Sequence, residues 1–355
     1  MLHKRIRKLL VLTSLLVLWS GIADADGIKR TSSGKPDLTG TYDAGTLTPM
    51  NRPEAFGKKQ FMTRAEADAL LAASPLAALD LASQDSDPNR GAPKKGGDGN
   101  QAFGAGGVGG YNAFWIDPGS DVFEIDGKIR TSIVYDPPNG RQPAMTAKAQ
   151  MKMADNFSSF IHLNDGTASW LAHDGPGPFD GPESLALAER CLLGFSGGPP
   201  QVPSLYNNFT KITQTETHVV ILIEMVHDAR IIRLNSEHGP ASDRKWLGDS
   251  IGHWDGDTLI VDTINFREKT GLNGADENLH LTERFTMQQD GNVLYSFTVD
   301  DPTAWTASWS GEYIWKAGDE KVYEYACHEG NYAMGNILRG ARLLEKEFIQ
   351  ETGSE

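Results

Sequence analysis

The chain has only two cysteines in 355 residues, Cys191 and Cys327, with no CxxC or paired-histidine spacing beside them. That argues against a zinc ribbon or a dithiol redox centre. No later apolar run approaches the roughly 20 residues that a spanning helix needs. Basic residues are in deficit, 33 Lys and Arg against 47 Asp and Glu, which disfavours nucleic acid, anionic lipid and polyphosphate as partners. Helical periodicity is scarce, and no internal repeat is visible.

What is present begins at the N-terminus. Lys4, Arg5, Arg7 and Lys8 precede an apolar run from Leu9 to Ile22, and Ala23-Asp24-Ala25 follows. This is the pattern of a secretory signal peptide over residues 1–25, with cleavage before Asp26. The run is too short for a stable span, so no membrane span is expected in the mature chain, and the expected location is periplasmic or secreted. Removing four basic residues and one Asp takes the formal charge from −14 to −17, which keeps an exported protein soluble. In an oxidising compartment the two cysteines are expected to pair as one disulfide. Two buried free thiols are the alternative.

Four Asp-Gly dipeptides sit between alternating apolar segments, at 126–127, 165–166, 255–256 and 290–291. Each reads as a hairpin turn, because Asp-Gly tolerates positive φ. Around them Val293, Tyr295, Phe297 and Val299 alternate with Leu294, Ser296 and Thr298. Val219, Ile221, Ile223 and Met225 share another strand face, and His227-Asp228 turns that strand back into Arg230–Leu234. Period two with repeated hairpins predicts an all-β antiparallel meander closed into a β-barrel, over residues 111–355; with Gly40-Thr41-Tyr42 echoing a first-strand Gly-x-Trp, it resembles lipocalin-like barrels, a likeness of fold alone. Residues 26–110 read as an irregular extension. It holds a first strand near Asp37–Tyr42, a short helix opened by a Thr63/Glu66 capping box, and a Gly-rich loop from Asp85 to Gly110. Ile337, Leu338, Ala341 and Leu344 mark a C-terminal amphipathic closing helix between Met334 and Phe348.

Three motif matches lack the context their chemistry needs. Gly104–Gly109 fits GxGxxG, but no strand precedes it and no helix follows. Gly194–Gly198 fits a nucleophile elbow, but Pro199-Pro200 forbids the helix that must follow. Gly248-Asp249-Ser250-Ile251-Gly252 matches the surroundings of a serine-protease nucleophile, with His227 and Asp228 upstream, yet nothing resembles the setting of a protease histidine. His253, Asp255 and Asp257 alternate like a metal triplet, but Asp255 also belongs to a turn, and the turn reading is favoured. No metal and no cofactor are therefore expected.

The polar residues with chemical promise lie on strand faces. Glu283 shares a face with Leu281, Phe285 and Met287, and Glu224 lies beside Val220, Leu222 and Val226. Inside a barrel such a carboxylate is either paired with an arginine, Arg230 or Arg284 being nearest, or kept partly protonated. Tyr323, Tyr325 and Cys327 alternate along an expected last strand, with His328 and Glu329 at its end. His328 is then a candidate general base, with Glu283 exchanging the proton and Tyr325 donating a hydrogen bond. Arg230, Arg284, Glu224, His253 and His238 are candidate substrate-binding residues.

Several segments together resemble a broad group of exported, functionally uncharacterised bacterial proteins. The strongest is Trp246-Leu-Gly-Asp-Ser-Ile-Gly-His-Trp-Asp-Gly-Asp-Thr-Leu-Ile-Val-Asp-Thr-Ile-Asn-Phe266, supported by Thr282–Phe285, Asp300–Pro302 with Trp305, and Tyr323–Tyr332. Tyr111–Gly119 and Glu189–Cys191 also fit. Where that group tends to read Leu-Asp-Gly-Arg-Pro-His, this chain has Leu234-Asn-Ser-Glu-His238-Gly239, which keeps the histidine alone. The resemblance implies export and carries no activity with it.

Three functional readings follow. The first is an exported enzyme acting on a small, partly apolar molecule by carboxylate and histidine acid–base chemistry. The second is a small-molecule binding barrel without catalysis, recognised by carboxylates fully paired with arginine. The third is an envelope structural protein.

Overall fold

In the computed structural model, residues 27–74, 116–162, 165–195 and 198–353 are described. The stretches expected to form a signal peptide and a Gly-rich loop, the GxGxxG match, Tyr111–Trp115 and the centre of the elbow match lie outside them.

Thirteen strands run in chain order: β1 (Gly40–Asp43), β2 (Phe61–Met62), β3 (Glu124–Ile125), β4 (Lys128–Arg130), β5 (Val134–Asp136), β6 (Phe209–Gln214), β7 (His218–Ile223), β8 (Ala229–Leu234), β9 (Asp249–Asp255), β10 (Thr258–Ile264), β11 (His280–Met287), β12 (Val293–Asp300) and β13 (Trp309–Gly318). Nine of them close into a barrel in the order β1, β6, β7, β8, β9, β10, β11, β12, β13 and back to β1. β5 adds to β13, and β2, β4 and β3 form a small separate sheet. The fold is thus mostly β with a closed barrel and a C-terminal helix. The segment before residue 44 supplies the strand that completes the ring.

Period two does the positioning. In β12 Val293, Tyr295, Phe297 and Val299 are buried, while the residues between them face outward. β11 buries Leu281, Glu283, Phe285 and Met287 in the same way. The interior is filled by Trp309, Trp315, Tyr295, Tyr313, Phe285 and Phe297, all essentially inaccessible. Their rings meet tilted or edge to face, with centroids 4.8 to 5.7 Å apart for Tyr295–Trp315, Tyr295–Tyr313 and Phe297–Trp309, the arrangement the ring quadrupoles favour. Gly311 makes room for one of them. A Cβ there would lie 2.5 Å from Phe297 Cζ.

Four details depart from the expected meander. β8 and β9 pair in parallel, Ile232 opposite Ser250, so residues 235–248 cross back along the barrel instead of forming a hairpin. The β9–β10 turn is Gly256-Asp257, because Asp255 pairs with Thr258. Asp165-Gly166 joins no strands. Residues 323–326 form no strand, and Cys327–Gly330 is a short helix, α4. Here the disulfide and the helix that follows override a pattern that looks extended locally. The hairpins at Asp126-Gly127 and around Asp290-Gly291 form as expected, with Asp126 and Gly127 both at positive φ.

The helices preceding α4 are α1 (Arg64–Ala72), α2 (Ala147–Asn156) and α3 (Ser158–Ile161). α1 starts at the expected capping box, with the Thr63 side chain accepting from Glu66 N and Glu66 returning to Thr63 N. The last helix, α5 (Tyr332–Thr352), turns Ile337, Leu338, Ala341 and Leu344 inward. It is anchored on the 170–180 segment, where Trp170 Nε1 donates to Glu345 and Arg342 donates to the Phe179 carbonyl. Asn331 caps it and also donates to the Glu189 carbonyl. Just before it, Cys191 and Cys327 form a disulfide across 136 residues, with Cα atoms 5.7 Å apart. Replacing both cysteines by serine should lower the unfolding free energy by about 4 to 5 kcal/mol in the chain-entropy treatment. Denaturant titration of the two forms checks this; a loss below about 1 kcal/mol would show that native strain or residual unfolded-state structure cancels the constraint.

Candidate functional site

Glu283 lies where its strand face predicts, and the side chains around it use its hydrogen-bonding capacity. Arg230, pointing inward from β8, donates from Nη1 to Glu283 Oε1 at 2.9 Å and from Nη2 to Oε2. Arg230 Nε donates to Ser250 Oγ at 3.0 Å, and Nη2 also donates to Thr263 Oγ1 at 2.9 Å. Tyr295 OH donates to Glu283 Oε1 at 2.8 Å and accepts from Gln201 N. Both charged side chains are buried, Glu283 to 1 % exposure. Burial, and next the negative charge of Glu283, push the Tyr295 phenol far above its ordinary value, so it stays a neutral donor. This is a two-pronged ion pair with its remaining groups satisfied by hydroxyls. It has no open position for a substrate.

The partners proposed for Glu283 lie elsewhere. His328 is exposed on α4, beside the disulfide, and makes no hydrogen bond or ion pair with Glu283. Tyr325 is half-buried, and burial followed by its hydrogen-bonded neighbour Tyr206 raises its phenol pKa. Arg284 points outward into solvent, as period two requires of the residue next to Glu283. The structure brings together Glu283 and Arg230, and none of His328, Tyr325 and Arg284 is among the hydrogen-bond partners of the pair. Ser250 faces the same interior, bonded to Arg230 and Thr263, and among the described side chains no histidine hydrogen-bonds to it. His253 is exposed on the outside of β9, and Asp257 is held by both terminal nitrogens of Arg30 at 2.7 and 2.9 Å. Among the described residues no group of three or more His, Cys, Asp or Glu is arranged to hold a metal.

Glu224 is buried, but not through the face it was expected to share. Val220 and Leu222 lie on the outer face of β7, and Glu224 turns inward because the chain leaves the strand there in a tight helical turn. Its Oε1 accepts from Asn207 Nδ2 at 3.2 Å, while Oε2 is buried without a hydrogen-bond partner. Desolvation accordingly raises its pKa, although Asn207 and the nearby Tyr323 backbone act downward.

His238 belongs to a network on the outer wall. Asp249, at the start of β9, accepts from Arg233 at 2.8 and 3.0 Å, from Gly239 N at 2.9 Å and from Lys245 at 3.2 Å. His238 Nδ1 lies 3.1 Å from the same carboxylate, and its Nε2 lies 2.7 Å from Asp262. His280 Nε2 meets the other Asp262 oxygen at 2.6 Å. The Arg233 guanidinium first, then Gly239, His238 and Lys245, hold the Asp249 carboxyl far below the usual range against the effect of burial. For Asp262 burial acts upward, and His280 and His238 outweigh it. The network straps the 235–248 crossover to the barrel. Asp249, Asp262 and His280 were not singled out from the sequence, although two of them lie inside the Trp246–Phe266 segment.

A concave site lies beyond the β7–β8 end of the barrel. It is a cleft of about 150 Å³ between the end of α2, residues 186–195 and the β10–β11 connection at 269–274. Phe157, Leu187, Leu193, Phe195 and Leu272 supply its apolar walls, and Asn156, Asn273 and Lys269 its polar groups. Gly194 lets one wall lie flat on Met225, since a Cβ there would come within 2.5 Å of Met225 Cγ. Gly271 packs backbone to backbone against Gly198. Nothing in the periodicity marks these residues, because the cleft is built from connections rather than strands. No family model and no curated protein matches the chain.

Two outcomes test these assignments. Glu283→Gln should cost about 3 kcal/mol or more, because it leaves Arg230 buried beside a neutral group, whereas Arg230→Met with Glu283→Leu should recover most of that loss. A Gln variant that melts like wild type would refute the purely structural pair. Glu224→Gln should act in the opposite direction. A carboxyl whose folded pKa is raised weakens folding as pH climbs from its ordinary value of 4.5 through the raised one. The Gln variant should therefore be more stable than wild type at pH 7 and lose that advantage below pH 4.5, as read from melting temperatures across pH; parallel profiles would contradict it.

Proposed function

We propose that this is an exported small-molecule binding protein whose ligand occupies the cleft at the β7–β8 end of the barrel. The reading rests on one contrast. The barrel interior is filled by packed aromatic rings and a two-pronged, hydrogen-bonded ion pair, whereas the cleft is open, apolar-walled and edged with a few polar groups, the usual character of a ligand site. The full pairing of Glu283 with Arg230 favours binding over acid–base catalysis inside the barrel. The leader-like N-terminus and the disulfide support a periplasmic or secreted location. The lipocalin-like description fits a closed barrel that binds small molecules, with the difference that the ligand sits outside the strands. The strong excess of acidic residues speaks against nucleic acid as a partner.

Acid–base chemistry keeps a foothold at Glu224 instead of Glu283. Glu224 combines burial, an oxygen without a hydrogen-bond partner and a raised pKa, the features of a carboxyl held ready to donate a proton.

The binding reading is tested by filling the cleft. Ala188 is half-buried on its wall, so Ala188→Trp should abolish saturation transfer from the protein to toluene in NMR while the melting temperature stays within about 3 °C of wild type. Toluene binding that survives the substitution, or is absent from the wild type, would rule out the cleft as the site.

A further inference from the structure

We infer that the cleft selects a small monocarboxylate with a single apolar ring, a benzoate-class anion, whose carboxylate is held by Lys269. This rests on the cleft being the ligand site and adds the chemistry of the ligand. Size is the first argument. The cleft encloses about 150 Å³, and an apolar cavity of roughly that volume accommodates one benzene ring. The walls agree, with the Phe157 and Phe195 rings and the Leu187, Leu193 and Leu272 side chains offering apolar surface for a flat ring.

Charge is the second argument. Lys269 is half-buried, and its hydrogen bond goes to the backbone carbonyl of Glu183 at 3.3 Å. Among the described residues no carboxylate lies within ion-pair distance of it, in a chain where acids outnumber bases by 14. The nearby Glu189 carboxylate is engaged by Ser159 Oγ at 2.7 Å and by Ala186 N at 2.8 Å. Lys269 is thus a cation on the wall of an apolar cleft with only a neutral acceptor, and a carboxylate supplies the missing charge-assisted bond. The carbonyl end of α2, at Asn156 and Phe157, is unfavourable for an anion, which directs the apolar ring to that wall and the carboxylate to Lys269.

The test compares benzoate with its neutral isostere benzamide by calorimetric titration of the mature, disulfide-bonded protein. Wild type should bind benzoate about tenfold more tightly or better, the difference expected of a hydrogen bond to a charged group. Lys269→Gln should bring the two affinities together by weakening benzoate alone, and Lys269→Arg should keep the preference. Equal affinities in wild type, or a preference that survives Lys269→Gln, would overturn the anionic assignment and leave the cleft as a site for neutral molecules. If benzoate, benzamide and toluene all fail to bind the wild type, the cleft reading falls with it.

Discussion

The interior of this barrel is organised around one ion pair. Transferring a guanidinium and a carboxylate from water into a low-dielectric core costs several kcal/mol per ion. That cost is offset only when the geometry is two-pronged and each nitrogen and oxygen of the pair has a polar partner. Arg230 and Glu283 meet the condition through Ser250, Thr263 and Tyr295, which come from three further strands. The pair therefore couples β8, β9, β10, β11 and β12 across the lumen. The tyrosine extends the same chain of hydrogen bonds to Gln201, which donates to Thr210 on β6 and accepts from Tyr313 on β13. A displaced strand in this arrangement leaves a buried charge or hydroxyl unpaired, so the network specifies the register of the barrel as well as filling it.

A filled barrel moves function to its periphery. The outer wall is occupied by the strap built on Asp249 and Asp262, and the end beyond the β7–β8 turn by connections that pack on the core through Met225 and the disulfide. The cleft formed there owes its shape to two close glycine approaches, Gly194 on Met225 and Gly271 on Gly198. Rigid strands carry no ligand group in this reading. They hold apart the loops that do, the usual division between scaffold and site.

Much of the scaffold is legible in the chain itself. Strict alternation in β11 and β12 by itself places Glu283 inside, and Thr63 with Glu66 marks the start of α1. The same local logic fails where distant contacts decide. Tyr323, Tyr325 and Cys327 alternate like a strand, but the bond to Cys191 and the cap of α5 bend that segment into a helical turn. Glu224 continues the period of its neighbours in sequence and turns the other way because the strand ends at Ile223. His328 and Glu283 looked like a pair only on the assumption that the last strand ended at the barrel mouth. The cleft was invisible for a different reason: its walls are short, aperiodic stretches far apart in sequence, and only the fold assembles them.

The parallel pairing of β8 with β9 follows from a counting rule. Strands that alternate up and down around a ring return to their starting direction only if their number is even. With nine staves the alternation must fail at least once, and here it fails once, at β8 and β9. The ring therefore consists of two alternating halves, one from β9 to β13 and one from β1 through β6 and β7 to β8, joined by an antiparallel seam at β13–β1 and a parallel one at β8–β9. A long return path is an obligation of that parity, and Arg233, His238, Lys245 and their two aspartates hold it against the wall. An eight- or ten-stave relative built on the same plan would need neither the return path nor its fastening.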